Sequence, residues 1–318
     1  MVNGKQFLTR LGALPYLMII LGALIIASNH VLARYLEGSI PPMGLVFWRM
    51  LTGAIFLLPF TAHGLLINRA LILKNWLLFL IMGALFVPLG NGLIYVAYLY
   101  TTAINGGLVS ASQPAITVLL TWLLFQELIN WKQSFGILIA AIGVFFIITK
   151  GEPSAILRME FNIGDFIMLA AVVFGALYNV LIRKVPEQIL VSQLLVIVLF
   201  SGSLITFPFY VFETMYFYPV PFNFFTIVSI LWVGIAVTAL AVGMISFSIR
   251  RIGANKASVS NYMRALFTAL LAVLILDEAF EIFHLIALVL VISGVYLMTL
   301  GTVVEDNNDN NKSQQELL

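Results

Sequence analysis

The feature that most constrains this chain is a succession of long apolar runs, separated by short polar segments such as LEGSIPP and QELINWK. A bilayer core about 30 Å thick needs about 20 helical residues to cross it. Strands of a membrane barrel would instead alternate over about 10 residues. The sequence therefore predicts an all-α integral membrane protein with ten transmembrane helices, at 13–35, 43–62, 76–100, 105–125, 133–149, 163–182, 191–212, 224–249, 257–276 and 282–302.

The composition excludes several other classes of protein. Hydrophobic residues make up 62% of the chain and charged residues 9%, whereas soluble domains carry about 25% charged residues. The net charge of +2 comes without a basic block, so we expect no nucleic acid partner. The sequence has no cysteine, no GxxxxGK[ST] loop and neither of the motifs HExxH and GxSxG. These absences predict a protein that is not an enzyme and needs no cofactor or metal.

The basic residues predict the orientation in the membrane. With the N-terminus in the cytoplasm, only Arg34, Lys150 and Arg158 lie on the far side. Arg49 and Arg264 lie within spans, and the other basic residues lie on the cytoplasmic side. An excess of Lys and Arg marks cytoplasmic loops, so both termini are predicted to be cytoplasmic. The cytoplasmic set is Lys5, Arg10, Arg69, Lys74, Lys132, Arg183, Lys184, Arg250, Arg251, Lys256 and Lys312.

The two halves of the chain resemble each other. A shift of about 151 residues aligns Gly83 with Gly234, Gly92 with Gly243, Ala103 with Ala254, Glu127 with Glu278 and Gly143 with Gly294. Five spans are an odd number, so two such repeats would insert with opposite orientations, as in many secondary transporters. We expect a cytoplasmic N-terminus at 1–12, repeats at 13–150 and 151–302, and a polar, disordered cytoplasmic tail at 303–318.

Several stretches resemble EamA-type members of the drug/metabolite transporter superfamily. They are Asn29, PPMGLVFWR, YLYTTAINGGLVSASQPAITVLLTWLLFQE, IGD, RRIGANKASVS and the DE that follows the ninth span. The resemblance implies a bacterial inner-membrane transporter with two inverted five-helix repeats around a central cavity. Family members carry amino acids, amines, nucleotide-linked metabolites or drugs. The chain departs from the family at Ala265, where a proline matching Pro114 is common, and this departure predicts a specialised pocket beside Arg264.

Polar side chains at membrane depth are the candidate site residues, because lipid cannot satisfy them. The alternatives are snorkelling of the arginines and hydrogen bonds between helices. His30 is the one histidine well inside a predicted span, and it is either a proton carrier or a neutral packing residue. Pro114 is a candidate gating residue. The candidate substrate-binding residues are Asn29, His30, Trp48, Arg49, Asn91, Tyr95, Tyr98, Gln113, Tyr178, Asn179, Tyr262 and Arg264.

These candidates indicate a carrier that moves a small polar metabolite by alternating access. A guanidinium favours a carboxylate or a phosphate, and aromatic rings suit an apolar side group, so an amino acid or related carboxylate fits both. An exporter of amines or drugs and a non-transporting receptor or assembly protein remain alternatives. The expected partners are the substrate and the lipid bilayer, and a monomer and a homodimer are both open. Facilitated diffusion or weakly coupled exchange is expected, because Asp165, Glu127, Asp277, Glu278 and Glu281 read as span ends or loops.

The charge pattern places residue 72 in the cytoplasm and residue 154 outside. Because the chain has no cysteine of its own, a single cysteine can replace Ile72 or Ser154. A membrane-impermeant maleimide added to intact cells should label the cysteine at 154 and spare the one at 72. The opposite labelling pattern would contradict the predicted orientation.

Overall fold

The computed structural model describes residues 4–126, 129–152, 162–252 and 259–315. Within these ranges the chain is α-helical and forms no β-strand. Five residues used in the sequence analysis lie outside the described residues, namely Glu127, Ser154, Arg158, Ala254 and Lys256. The helices of the described part are α1 Gly4–Tyr35, α2 Pro42–Ile67, α3 Trp76–Ala97, α4 Ala103–Phe125, α5 Trp131–Ile148, α6 Ile163–Leu181, α7 Val191–Tyr216, α8 Phe224–Ser248, α9 Val259–Leu276 and α10 Ile282–Gln315.

Eight helices in the described ranges are long and apolar enough to cross a membrane. They are Leu14–Tyr35 of α1 and the helices α2 to α8, whereas α9 and α10 contribute the shorter apolar stretches Ser260–Leu276 and Ile282–Met298. Short helical pieces, Arg69–Lys74 and Ile182–Lys184, follow α2 and α6, and the helix of α8 continues to Ile252. The all-α membrane architecture is confirmed, and the count of ten crossings stays a prediction.

The chain beyond the last apolar stretch differs from expectation. The sequence predicts a disordered tail at 303–318, but α10 continues as helix to Gln315. No proline follows Ile282, and lengthening an existing helix avoids the cost of nucleating a new one. The backbone therefore has no local reason to stop where the apolar residues stop.

Three helices have irregular backbones near the middle of the fold. α3 contains a π-helix at Leu85–Gly92, and α8 contains one at Trp232–Ala241. α4 breaks at Ser112, which separates Ala103–Ala111 from Gln113–Phe125. π-Helical turns and Pro-induced breaks redirect side chains and often mark functional sites. The matching stretch of α9 runs without a break, so the two halves differ at this point.

The helices pack in a recurring set of pairs. α2 packs against α7 and α8, α7 also packs against α3, and α5 packs against α10. α1 lies against α8 and α9, whereas α6 lies against α3 and α4, and α4 also packs against α9. Small residues allow the closest approaches: a Cβ atom on Gly234 would lie 2.6 Å from the carbonyl oxygen of Arg49, and one on Gly83 would lie 2.7 Å from the backbone nitrogen of Gly202.

The contact at Gly234 provides a test of the packing of α8 on α2. Gly234→Ala should lower the melting temperature, because overpacking costs about 1–3 kcal/mol and the obstructing atom is backbone. Gly243→Ala is the matched control on the same helix, since no described atom lies within 4 Å of a Cβ built there. That control should keep or slightly raise stability through helix propensity. Equal effects of the two variants in a thermal unfolding assay would contradict the close contact.

Candidate functional site

A cavity of about 210 Å³ lies between the helices of the two halves. Among the described residues its walls come from α1, α2, α3, α4, α6, α7, α8 and α9. The structure thus brings together side chains that are distant in sequence and were singled out for their polarity. The predicted residues that line the cavity are Asn29, His30, Arg49, Asn91, Gln113, Tyr178, Asn179 and Arg264.

Arg49 is the most buried charged group of the site, with 1% of its surface exposed. Its Nη1 donates to Asn29 Oδ1 at 3.1 Å, and its Nη2 donates to Asn91 Oδ1 at 2.5 Å. The guanidinium carbon lies 4.8 Å from the centre of the Tyr95 ring, within the range of a cation–π contact. Side chains from α1 and α3 therefore fix the charge that α2 carries into the cavity.

The two amides that hold Arg49 are themselves oriented by further hydrogen bonds. The Tyr95 hydroxyl donates to Asn29 Oδ1 at 2.6 Å. Asn91 Nδ2 donates to the Phe86 carbonyl at 2.7 Å, and that carbonyl lies five residues earlier in the π-helix. Each amide thus presents its oxygen to the guanidinium. Such supporting bonds hold a binding group in place before a ligand arrives.

Arg264 enters the cavity from α9 and meets the break in α4. Its Nη2 donates to the carbonyl oxygen of Ser110 across a long 3.4 Å contact. Pro114 lacks the N–H that would bond this carbonyl in a continuous helix, so the break leaves an acceptor facing α9. The helix is interrupted at Ser112, two residues before Pro114. The arginine on α9 therefore donates to the carbonyl that the proline on α4 leaves without a helical donor.

A chain of hydrogen bonds leads from the cavity to the N-terminal end of α4. His30 Nδ1 and the Tyr98 hydroxyl are 2.6 Å apart, and Arg34 Nη1 donates to the Tyr98 carbonyl at 2.7 Å. Arg34 Nε lies 4.0 Å from the carboxylate of Glu278. These contacts link residues from both halves of the chain.

Glu278 also holds the first turn of α4. Its two oxygens accept hydrogen bonds from the backbone N–H groups of Ala103 at 2.7 Å and Ile104 at 3.0 Å. A helix N-terminus carries unpaired N–H groups and a partial positive charge, so a carboxylate is stabilising there. The sequence interpretation of Glu278 as a span-end residue is compatible with this position, but it missed the contact with the other half.

A second polar cluster beside α4 was missed by sequence reasoning. Asp165 has 0% of its surface exposed and accepts hydrogen bonds from Thr101 and Asn105. Asn105 Oδ1 lies 3.0 Å from His284 Nε2, and His284 Nδ1 accepts the backbone N–H of Glu281 at 2.9 Å. These partners assign His284 a neutral ring with the proton on Nε2. The only signal in the sequence was the polar type of these residues next to a loop.

Five predicted residues do not line the cavity. Tyr95 and Tyr98 support it from behind through Asn29 and His30. Trp48 points away from it, with ring contacts to Tyr210 and Phe222, because neighbouring residues on a helix project about 100° apart. The other two are Tyr262 and Pro114.

Comparison with known proteins identifies the family. The EamA-like transporter family matches the chain twice, at residues 13–149 and 162–300. The chain belongs to the EamA-like transporter family. The resemblance noted in the sequence is thereby confirmed, and the chain is a multi-pass membrane protein of a transporter family.

Relatives that match most of the chain are also named transporters. An uncharacterized transporter, YyaM, from Bacillus subtilis is 25% identical over 95% of this chain and 98% of its own length. An uncharacterized transporter from Methanothermobacter thermautotrophicus is 26% identical over 89% of this chain and 85% of its own. A solved protein structure matches with a TM-score of 0.54 and 20% identity, covering 89% of this chain and 95% of the other. That likeness concerns the fold alone.

The hydrogen bonds around Arg49 give a testable consequence for stability. Asn29→Ala removes an acceptor from a buried guanidinium and from the Tyr95 hydroxyl. Hydrogen bonds to charged groups contribute about 1.5–3 kcal/mol each, so the melting temperature should fall clearly. Asn179→Ala is the matched control, because Asn179 lines the same cavity and is exposed there. A control that melts as low as Asn29→Ala would mean that the amide is not holding Arg49.

Proposed function

We propose that this protein is a secondary transporter that moves a small polar metabolite, an amino acid or a related carboxylate, across the bacterial cytoplasmic membrane by alternating access. The observation that carries the proposal is that Arg49 and Arg264, one from each half, line a single buried cavity. A planar guanidinium can donate two parallel hydrogen bonds to a carboxylate.

The size of the cavity supports a metabolite rather than a larger drug. Sites for drug-sized ligands enclose about 300–1,000 Å³, and this cavity encloses about 210 Å³. Its walls combine aliphatic residues such as Ile26 and Leu195 with the amides of Gln113 and Asn179. This mixture suits a short carbon skeleton with a polar end.

The proposed architecture is ten transmembrane helices in two inverted repeats of five. Contacts between helices support it, since adding five to each number converts one contact into another. The pair α1·α8 becomes α6·α3, α1·α9 becomes α6·α4, and α2·α8 becomes α7·α3, all of which are in contact. The pairs α2·α7, α4·α9 and α5·α10 convert into themselves. The π-helices of α3 and α8 also correspond under this rule.

Alternating access requires that one side of the cavity can close while the other opens. The contacts of Arg34, Tyr98 and Glu278 supply such a closure beside the N-terminal end of α4. The positive-inside pattern makes this the external side. The break at Ser112, next to Pro114, offers α4 a place to bend.

The sequence leaves two other functions open. An exporter of amines or drugs is disfavoured by the two arginines, which repel a cation. A non-transporting receptor would share the helices and the cavity but would show no flux. Measured exchange in proteoliposomes separates the receptor from the transporter.

Arg264 gives the direct test of transport. Protein reconstituted in proteoliposomes should exchange at least one compound from a panel of radiolabelled amino acids and organic acids. Arg264→Ala should abolish that exchange, and Arg264→Lys should weaken it, because a point charge replaces a planar fork. The control is Arg69→Ala, which alters an exposed arginine outside the cavity. Normal exchange by folded Arg264→Ala would remove this residue from the substrate site.

A further inference from the structure

The charges around the cavity are one-sided. Arg49 and Arg264 line it, and no Asp or Glu does so among the described residues. Two carboxylates nearby, one partly buried and one fully buried, are engaged elsewhere. Glu278 accepts hydrogen bonds from the first turn of α4, and Asp165 accepts them from Thr101 and Asn105. The cavity therefore holds two cations with no protein anion facing them.

Arg49 is oriented but not neutralised. Its hydrogen-bond acceptors are the oxygens of two neutral amides, and its third contact is the face of an aromatic ring. Its Nε is buried and has no hydrogen-bond partner among the described residues. Within those residues neither Arg49 nor Arg264 has a carboxylate within 4.0 Å. Buried charges in proteins are normally paired with an opposite charge, so this guanidinium lacks the partner that its burial requires.

Arg264 is even less constrained. Among the described residues its hydrogen bond is the 3.4 Å contact with the Ser110 carbonyl, which leaves further N–H groups able to donate into the cavity. It comes from α9, whereas Arg49 comes from α2. An anion placed in the cavity would satisfy both groups and would supply the missing negative charge.

We propose that the cavity selects a small organic anion that carries no ammonium group, so that a hydroxy acid or a phosphate monoester binds better than the amino compound of the same skeleton. The proposal rests on the transporter function proposed above and changes its substrate class from amino acids to anions without an ammonium group. An ammonium group would be repelled by two guanidiniums in a medium of low dielectric constant. The acceptors left for it are neutral, such as the amides of Gln113 and Asn179.

Thr238 does not change the balance of charge in the cavity. It lines the cavity, but its hydroxyl already donates to the carbonyl of Val233 at 3.0 Å. Its neighbours Val237 and Val242 are apolar, so this wall contacts the carbon skeleton. The site therefore has donors for an anion and an apolar wall, but no charged acceptor for an ammonium group. Selectivity of this kind comes from the repulsive element as much as from the attractive one.

Matched ligand pairs test the proposal on the purified full-length protein. Melting curves are recorded with increasing lactate or alanine, malate or aspartate, phenyllactate or phenylalanine, and ethyl phosphate or phosphoethanolamine. For at least one pair, the anion without ammonium should raise the melting temperature at a concentration at least about tenfold lower than its partner needs. A tenfold ratio of affinities corresponds to about 1.4 kcal/mol. Phenethylamine and ethylamine should give no shift. Stronger binding of the amino compounds, a shift with the amines, or no shift with any compound would each overturn the proposal.

Variants of the cavity test whether the preference arises there. Arg264→Gln should weaken binding of the preferred anion by about tenfold or more, whereas Arg264→Lys should keep the preference for it. Gln113→Glu introduces the missing carboxylate without changing the size of the side chain. It should move the ratio of affinities toward the amino compound by about tenfold. This gain of binding cannot result from misfolding, and an unchanged ratio would place the ligand outside this cavity and overturn the proposal.

Exchange in proteoliposomes separates this proposal from the proposed function. If the preferred anion binds but is not exchanged, the transporter function fails and the anion site stands. If amino acids are exchanged as fast as the matched hydroxy acids, the transporter function stands and the preference for an anion without ammonium is overturned.

Discussion

The burial of Arg49 is the constraint on which the centre of this structure depends. The N–H groups of a cation held inside an apolar bundle need hydrogen-bond acceptors from the protein, because lipid offers none. Here Asn29 of α1 and Asn91 of α3 provide them. Meeting that requirement fixes three helices relative to one another. The π-helix of α3 contributes to this arrangement, since Asn91 is oriented by the Phe86 carbonyl within that irregular stretch.

The backbone of the same arginine helps to position the second half of the chain. Gly234 of α8 approaches so closely that a Cβ atom would lie 2.6 Å from the carbonyl oxygen of Arg49. Position 49 thus combines a side chain that α1 and α3 hold with a backbone that α8 contacts. A substitution there removes the side-chain bonds to α1 and α3 together with the charge in the cavity. Loss of transport in an Arg49 variant therefore does not identify a ligand contact. A variant of Arg264 tests ligand binding more directly, because among the described residues this side chain makes one long hydrogen bond.

The sequence predicts the membrane segments well because their cause is local. A run of apolar residues is enough to form a helix that lies in lipid, and eight predicted runs appear as helices long enough to cross it. The lining of the cavity is predicted less well, because whether a residue lines it depends on which face of its helix meets another helix. Trp48 and Arg49 are adjacent in sequence, yet only Arg49 lines the cavity. Tyr95 and Tyr98 are predicted substrate-binding residues, but they do not line the cavity and instead hydrogen-bond to Asn29 and His30, which do.

Residues near the ends of helices connect the cavity to the N-terminal end of α4, and the apolar pattern of the sequence does not reveal these contacts. His30 lines the cavity and contacts Tyr98, whose carbonyl accepts from Arg34. Arg34 faces Glu278, which holds the first turn of α4. In the transport cycle proposed above, opening the cavity on this side breaks some of these bonds, and those with charged groups contribute about 1.5–3 kcal/mol each. A substrate can favour opening only through a difference in its affinity for the two states. For the substrate proposed above, contacts with His30, Arg49 and Arg264 are where that difference can arise, because these residues line the cavity and His30 contacts Tyr98 directly.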